Sequence, residues 1–138
     1  MTDARRIAVF FYGLFMDEDL LRAKRIAPEK RRLAWVENFR LVIGDRATLV
    51  PSASGAVHGV LFMLTHGEVD ALYADASLAA YRAEAVLAHL SDGGAMPALC
   101  FNLAVPPAAG ARNPQYAAKL RALAEQVGLP RDYVASLA

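Results

Sequence analysis

An uninterrupted apolar run from Ile7 to Tyr12 (IAVFFY) stops at Gly13, the pattern of a strand buried on both faces. From Asp17 to Ala27 (DEDLLRAKRIA) acids lead and bases close, which matches the helix dipole and predicts a helix halted before Pro28. Leu33–Val42, built around Trp35, Phe39 and Leu41, predicts a long strand ending at Gly44. The following pattern predicts a short strand over Ala47–Val50 stopped by Pro51, a turn over Ser52–Gly55, and a central strand over Val57–Leu64.

Glu68–Ala74 predicts a short helix with Glu68 and Asp70 on its solvated face, and Ala76–Tyr81 an irregular connection. Alternation over Glu84–Leu90, the turn residues Asp92-Gly93-Gly94 and the return over Met96–Leu103 predict a hairpin. Pro106, Pro107 and Gly110 mark a loop. Tyr116, Leu120, Leu123 and Val127 line one face of a helix over Pro114–Val127, with Gly128 as its cap and Pro130 beyond. Asp132–Leu137 adds a last helical turn. Strands and helices do not alternate regularly. The expected fold is therefore α+β, a mixed sheet curled into a barrel, and not a doubly wound parallel sheet.

Composition narrows this further. With 138 residues, 56% of them hydrophobic and 21% charged, the chain reads as a single domain over 1–138 and not as a disordered one. Fifteen Lys and Arg against fourteen Asp and Glu leave a net charge of +1, so no nucleic-acid partner is expected. The basic cluster Lys24, Arg25, Lys30, Arg31 and Arg32 reads as a helix C-terminus and solvated loop. The run Ile7–Phe11 is too short to span a membrane and meets Asp17, Glu18 and Asp19 at once, so no membrane partner is expected. A single cysteine and the lack of a secretory pattern place the expected location in the cytoplasm. Nothing in the pattern sets an oligomeric state.

Candidate chemistry is sparse. His58, His66 and His89 lack the short spacings of a metal site, and no metal or cofactor is expected. Cys100, within ALCFNL, reads as a small buried hydrophobe. The junction FFYGLFMDEDLL is more informative: Gly13 lets the backbone approach a ligand, and free loop N–H groups beside a helix start suit an oxyanion. Tyr12 and Tyr116 are equally readable as core aromatics with a hydroxyl at the edge.

Phe10–Met16 resembles the Tyr-Gly-Ser/Thr-Leu-Met loop of the gamma-glutamylcyclotransferase-like (AIG2-like) family. The segments AWVENFRLV, ATLVPSASG and VHGVLFMLT, the pair Tyr81-Arg82, then Asn113-Pro114-Gln115-Tyr116 and Gly128-Leu129-Pro130 with Tyr133, are similar to the family's later segments in the same order. The resemblance implies a small mixed β-barrel flanked by helices. It also implies an activity that cyclises a γ-glutamyl amine compound to 5-oxoproline and a free amine, with no cofactor. In that reaction the glutamyl α-amine attacks its own γ-carbonyl, so the protein supplies proximity, a carboxylate for proton transfer and loop N–H groups for an oxygen. The resemblance assigns Tyr12, Gly13, Leu14, Phe15, Met16 and Tyr116 to the substrate.

Two positions depart from the family pattern. Tyr73 stands where the Leu-Asp-x-x-Glu-Gly segment has its glutamate, and Leu14 stands where the loop has Ser or Thr. A phenol with a reference pKa of about 10 is a poor base at neutral pH. Asp75 and Glu84 are the nearby carboxylates that can stand in, so the catalytic candidates are Glu84, Asp75 and Tyr73. Three readings stay open: a cyclotransferase using Asp75 or Glu84, a small-molecule binding protein that kept the pocket, and an interaction module using the basic cluster.

Overall fold

The computed structural model describes residues 5–137; residues 1–4 and 138 of the domain read from the sequence lie outside that range. Five strands close into a barrel: β1 (Arg6–Phe11), β2 (Glu29–Ile43), β3 (Ala47–Thr65), β4 (Tyr81–Leu90) and β5 (Ala95–Leu103), in the spatial order β1-β3-β2-β4-β5. Neighbours run antiparallel except β1 and β5, which close the barrel in parallel through Val9 opposite Leu99. Around it pack α1 (Glu18–Ala23), α2 (His66–Leu72), α3 (Pro114–Val127) and α4 (Arg131–Ser136). The expected α+β architecture, a mixed barrel flanked by helices, is what the chain forms.

The two-residue period of β1 explains its unbroken apolar run. Ala8, Phe10 and Tyr12 face the barrel interior with Leu61, Val86 and Cys100. Val9 and Phe11 face outward into a second core with Leu21, Phe62, Leu120 and Leu129, beneath the helices. Each alternate residue thus serves a different core.

Two strands start earlier than expected: β2 at Glu29 and not Leu33, so Lys30, Arg31 and Arg32 are strand residues and not a solvated loop, and β4 at Tyr81 and not Glu84. A larger failure lies in β3. Ala47–Thr65 is one 19-residue strand, not two strands separated by a turn. Ser52–Gly55 is extra length between the Glu37–Ala56 and Phe39–Pro51 register pairs, set against Asn38 in a left-handed conformation (φ 68°). Such a bulge tolerates Pro51, which has no N–H to give the ladder. Gly55 is needed there because a Cβ would fall 2.1 Å from the Phe39 carbonyl oxygen. Helix α1 also ends earlier than expected. Arg25 turns left-handed (φ 64°), Ile26 N–H returns to the Leu21 carbonyl at 3.0 Å, and Ile26 is buried in the outer core.

Glu68 is not on a solvated face. Its side chain accepts from Thr65 N–H at 2.9 Å and from Ala27 N–H at 2.7 Å, and pairs with Arg6 at 3.3 Å. Thr65 and Glu68 form a capping box at the start of α2. Desolvation raises the Glu68 pKa, but the N–H donors and Arg6 outweigh it and hold the carboxyl below its usual range. The basic cluster is partly absorbed by the fold: Arg31 donates to the Val127 carbonyl at the end of α3, and Arg32 pairs with Asp92 in the β4–β5 turn.

At the end of the barrel where β1 exits, β3 and β5 are joined by side chains. Thr48 Oγ1 accepts from Leu103 N–H at 2.9 Å, and Asn102 Oδ1 accepts from Leu49 N–H at 3.2 Å. Asn102 Nδ2 donates to Glu84 Oε1 at 2.8 Å. Buried polar groups in this gap are thereby satisfied where no ladder exists.

Candidate functional site

A cavity of about 210 Å³ opens at this end of the barrel, between the β1 exit, the β2–β3 turn, the segment after α2, and α3. Fifteen residues line it, and eight of them are Phe or Tyr, out of eleven such residues in the chain. Neither a strand run nor a helix stripe produces that concentration; it arises because β1, β4, β5 and α3 each deliver aromatic side chains to one point.

The loop after β1 forms one side. Gly13 precedes a single 3-10 turn, Leu14–Met16, whose last amide returns to the Gly13 carbonyl at 3.0 Å. Tyr116 closes on the loop from α3, where the Asn113 side chain caps the helix by accepting from Tyr116 N–H at 3.1 Å. A Cβ at Gly13 would lie 2.7 Å from the Tyr116 hydroxyl, so only glycine lets the ring approach. Burial raises the Tyr116 pKa, and the Leu14 N–H directed at its oxygen partly offsets that.

Two hydroxyls fix the walls. Tyr12 donates to the Phe101 carbonyl at 2.7 Å, and Tyr81 donates to the Ala47 carbonyl at 2.5 Å. Tyr73 lies flat on Phe101, with centroids 3.9 Å apart and planes 14° from parallel. Phe15 meets Tyr73 edge-on at 6.2 Å and Phe11 at 6.0 Å. Burial pushes Tyr12 and Tyr73 far above the usual phenol range, and Tyr81 up to about 12. All three therefore stay protonated at neutral pH and none serves as a base.

Of the residues read from the sequence, Tyr12, Gly13, Leu14, Phe15, Tyr73 and Tyr116 line the cavity. Met16 does not: the 3-10 turn swings its side chain into the outer core, where it is buried with Leu21 and Phe62. Asp75 is not among the lining residues either. It is fully exposed, caps the turn Ala76–Leu78, and the Ser77 N–H holds its carboxyl below the usual range. Glu84 pairs across the ladder with Cys100 but is exposed, and its carboxylate accepts from Asn102 and does not line the cavity.

Asp45 and Arg46, which sequence reading passed over, lie at the rim. They form the tight β2–β3 turn in which Gly44 N–H meets the Arg46 carbonyl at 3.0 Å. A Gly-Asp pair between two strands is a readable turn signal, but nothing local says that the turn overhangs a cavity. Tyr81 was noticed only as part of a family pattern. Among the described residues no group of three or more His, Cys, Asp or Glu is placed to hold a metal ion. No helix of the described residues is long and apolar enough to cross a membrane.

The family model for gamma-glutamyl cyclotransferase, AIG2-like, matches residues 9–118. A solved structure described as a gamma-glutamyl cyclotransferase superposes with a TM-score of 0.82 at 19% identity, covering 96% of this chain and 86% of that one. The uncharacterized protein loc79017 from Homo sapiens gives 0.80 at 19% identity, with the same coverages of 96% and 86%. YkqA from Bacillus subtilis gives 0.79 at 20% identity over 96% of this chain, which spans about half (53%) of the YkqA chain. No curated protein sequence matches. At these identities the solved structures speak for the fold, and the model match speaks for descent: the chain belongs to the gamma-glutamyl cyclotransferase, AIG2-like family.

Proposed function

We propose that this chain is a single-domain cytoplasmic protein that binds a small carboxylic acid in the aromatic cavity and does not convert it. Tyr12, Gly13, Leu14, Phe15 and Tyr116 are the binding set, and the family likeness nominates γ-glutamyl compounds as the first ligands to try. One observation carries this reading. The position that bears a glutamate in the family pattern holds Tyr73, a partly buried phenol stacked on Phe101 and kept protonated by its desolvation. The two substitutes suggested by sequence lie elsewhere, Asp75 in solvent and Glu84 committed to Asn102. With Tyr73 protonated, Asp75 in solvent and Glu84 engaged by Asn102, none of these three candidates offers a route for the α-ammonium proton.

The test is a thermal melt alongside product analysis. A γ-glutamyl amine or 5-oxoproline at a hundredfold excess over Kd is expected to stabilise the chain by about 2.7 kcal/mol, with no 5-oxoproline released from the amine. Catalytic release would overturn the reading. The cyclotransferase alternative has one observation in its favour: Asp45 is a carboxylate on the cavity rim. There, Asp45 would take the α-ammonium proton, the amine would attack the γ-carbonyl, and the proton would pass to the departing amine. Loss of release in Asp45→Asn is the mark of that case.

A further inference from the structure

The walls of the cavity specify more than smallness. We infer that its ligand is a planar aromatic carboxylate, a ring inserted among the cavity's own rings with its carboxylate on Arg46. This inference rests on the binding reading above and names its ligand class.

Ring geometry is the first support. Tyr73 lies flat on Phe101 and Phe15 stands perpendicular to it, at 88° between planes. A face beside an edge is the arrangement that accepts a further ring by offset or edge-to-face contact. A bent glutamyl moiety offers no π face, and its ammonium and carboxylate would both need partners against apolar walls. Size agrees: an apolar cavity of about 150 Å³ holds one benzene ring, and this cavity of about 210 Å³ has space for a ring and a short acidic arm.

The polar groups supply the second support. Tyr12 and Tyr81 have spent their hydroxyl protons on the Phe101 and Ala47 carbonyls. Arg46 lines the rim and enters none of the ion pairs of the described residues. Its guanidinium therefore has free donors in the planar fork that matches a carboxylate. Asp45 beside it opposes an anion, which sets the affinity below that of an isolated arginine but leaves the geometry intact.

Isothermal titration of the whole chain with phenylacetate, benzyl alcohol and 5-oxoproline tests this. Phenylacetate is expected to bind at least about tenfold tighter than either, and Arg46→Gln to weaken it about tenfold without weakening benzyl alcohol. Leu78→Trp, at a half-buried position on the lining, is expected to abolish phenylacetate binding in a chain that melts normally. If 5-oxoproline binds tightest, the aromatic-acid inference falls and the binding reading stands. If none of them binds, both fall. Retained phenylacetate affinity in either variant also overturns the inference.

Discussion

The loop that leaves β1 and the segment that follows α2 face each other across one cavity, yet they contribute to it in different ways. The loop's form is set by backbone: Gly13 and one 3-10 turn whose Met16 amide returns to the Gly13 carbonyl. The segment after α2 contributes a side chain, the Tyr73 phenol stacked on Phe101. A wall shaped by main chain tolerates side-chain replacement, whereas proton transfer depends on a single side chain. Separating the two halves of such a site is therefore an experiment that substitutions can perform.

The largest expected effect comes from placing a carboxylate opposite the loop. Tyr73→Glu removes the Tyr73–Phe101 stack and buries an acid, at a cost of about 2–4 kcal/mol in stability. It should confer 5-oxoproline release on γ-glutamyl amines, read by product chromatography. A folded variant that releases none would show that the two halves no longer align. Next is Gly13→Val, which breaks the approach of Tyr116 to the loop. Its Cβ meets the Tyr116 hydroxyl at 2.7 Å, so Tyr116 must withdraw; the expected loss is about 1–3 kcal/mol of stability, together with ligand stabilisation in the melt. The smallest effect separates the halves by acid. Glu68 anchors the start of α2, and its carboxyl pKa is held down in the folded state. Its contribution is therefore present above the unfolded pKa near 4.5 and lost as pH falls through the lower folded value. The protection of α2 amides, relative to their intrinsic exchange at each pH, should fall on acidification while that of Leu14–Met16 does not, and Glu68→Gln, costing about 1 kcal/mol, should remove the pH dependence.

How much of this was legible in the chain follows from where each signal lies. Helix α3 was read to its exact ends because Asn113, Pro114 and Gly128 act locally on the residues they cap. Strand β3 reads as two strands in sequence because Pro51 and Gly55 look like stops, and only pairing with β2 makes them a bulge. The Thr65–Glu68 spacing was a capping box in plain view, overlooked in favour of a solvated helix face. The loop half of the site was visible because a strand end, a glycine and a helix start are neighbours in sequence. Whether residues 75 and 84 reach a cavity depends on how β4 docks against β5, and on Asn102, eighteen residues away, capturing Glu84. Asp45 and Arg46 escaped notice for the same reason: a turn becomes a rim only after the barrel has closed.

Cys100 stands in the barrel wall with no exposed surface, its thiol pushed up to about 12 by burial. A folded molecule thus presents almost no thiolate to an alkylating reagent at neutral pH. Labelling must wait for the wall to open, and its rate then counts opened molecules in the resting population. The chain carries its own stopwatch for unfolding, one that any occupant of the neighbouring hollow should slow.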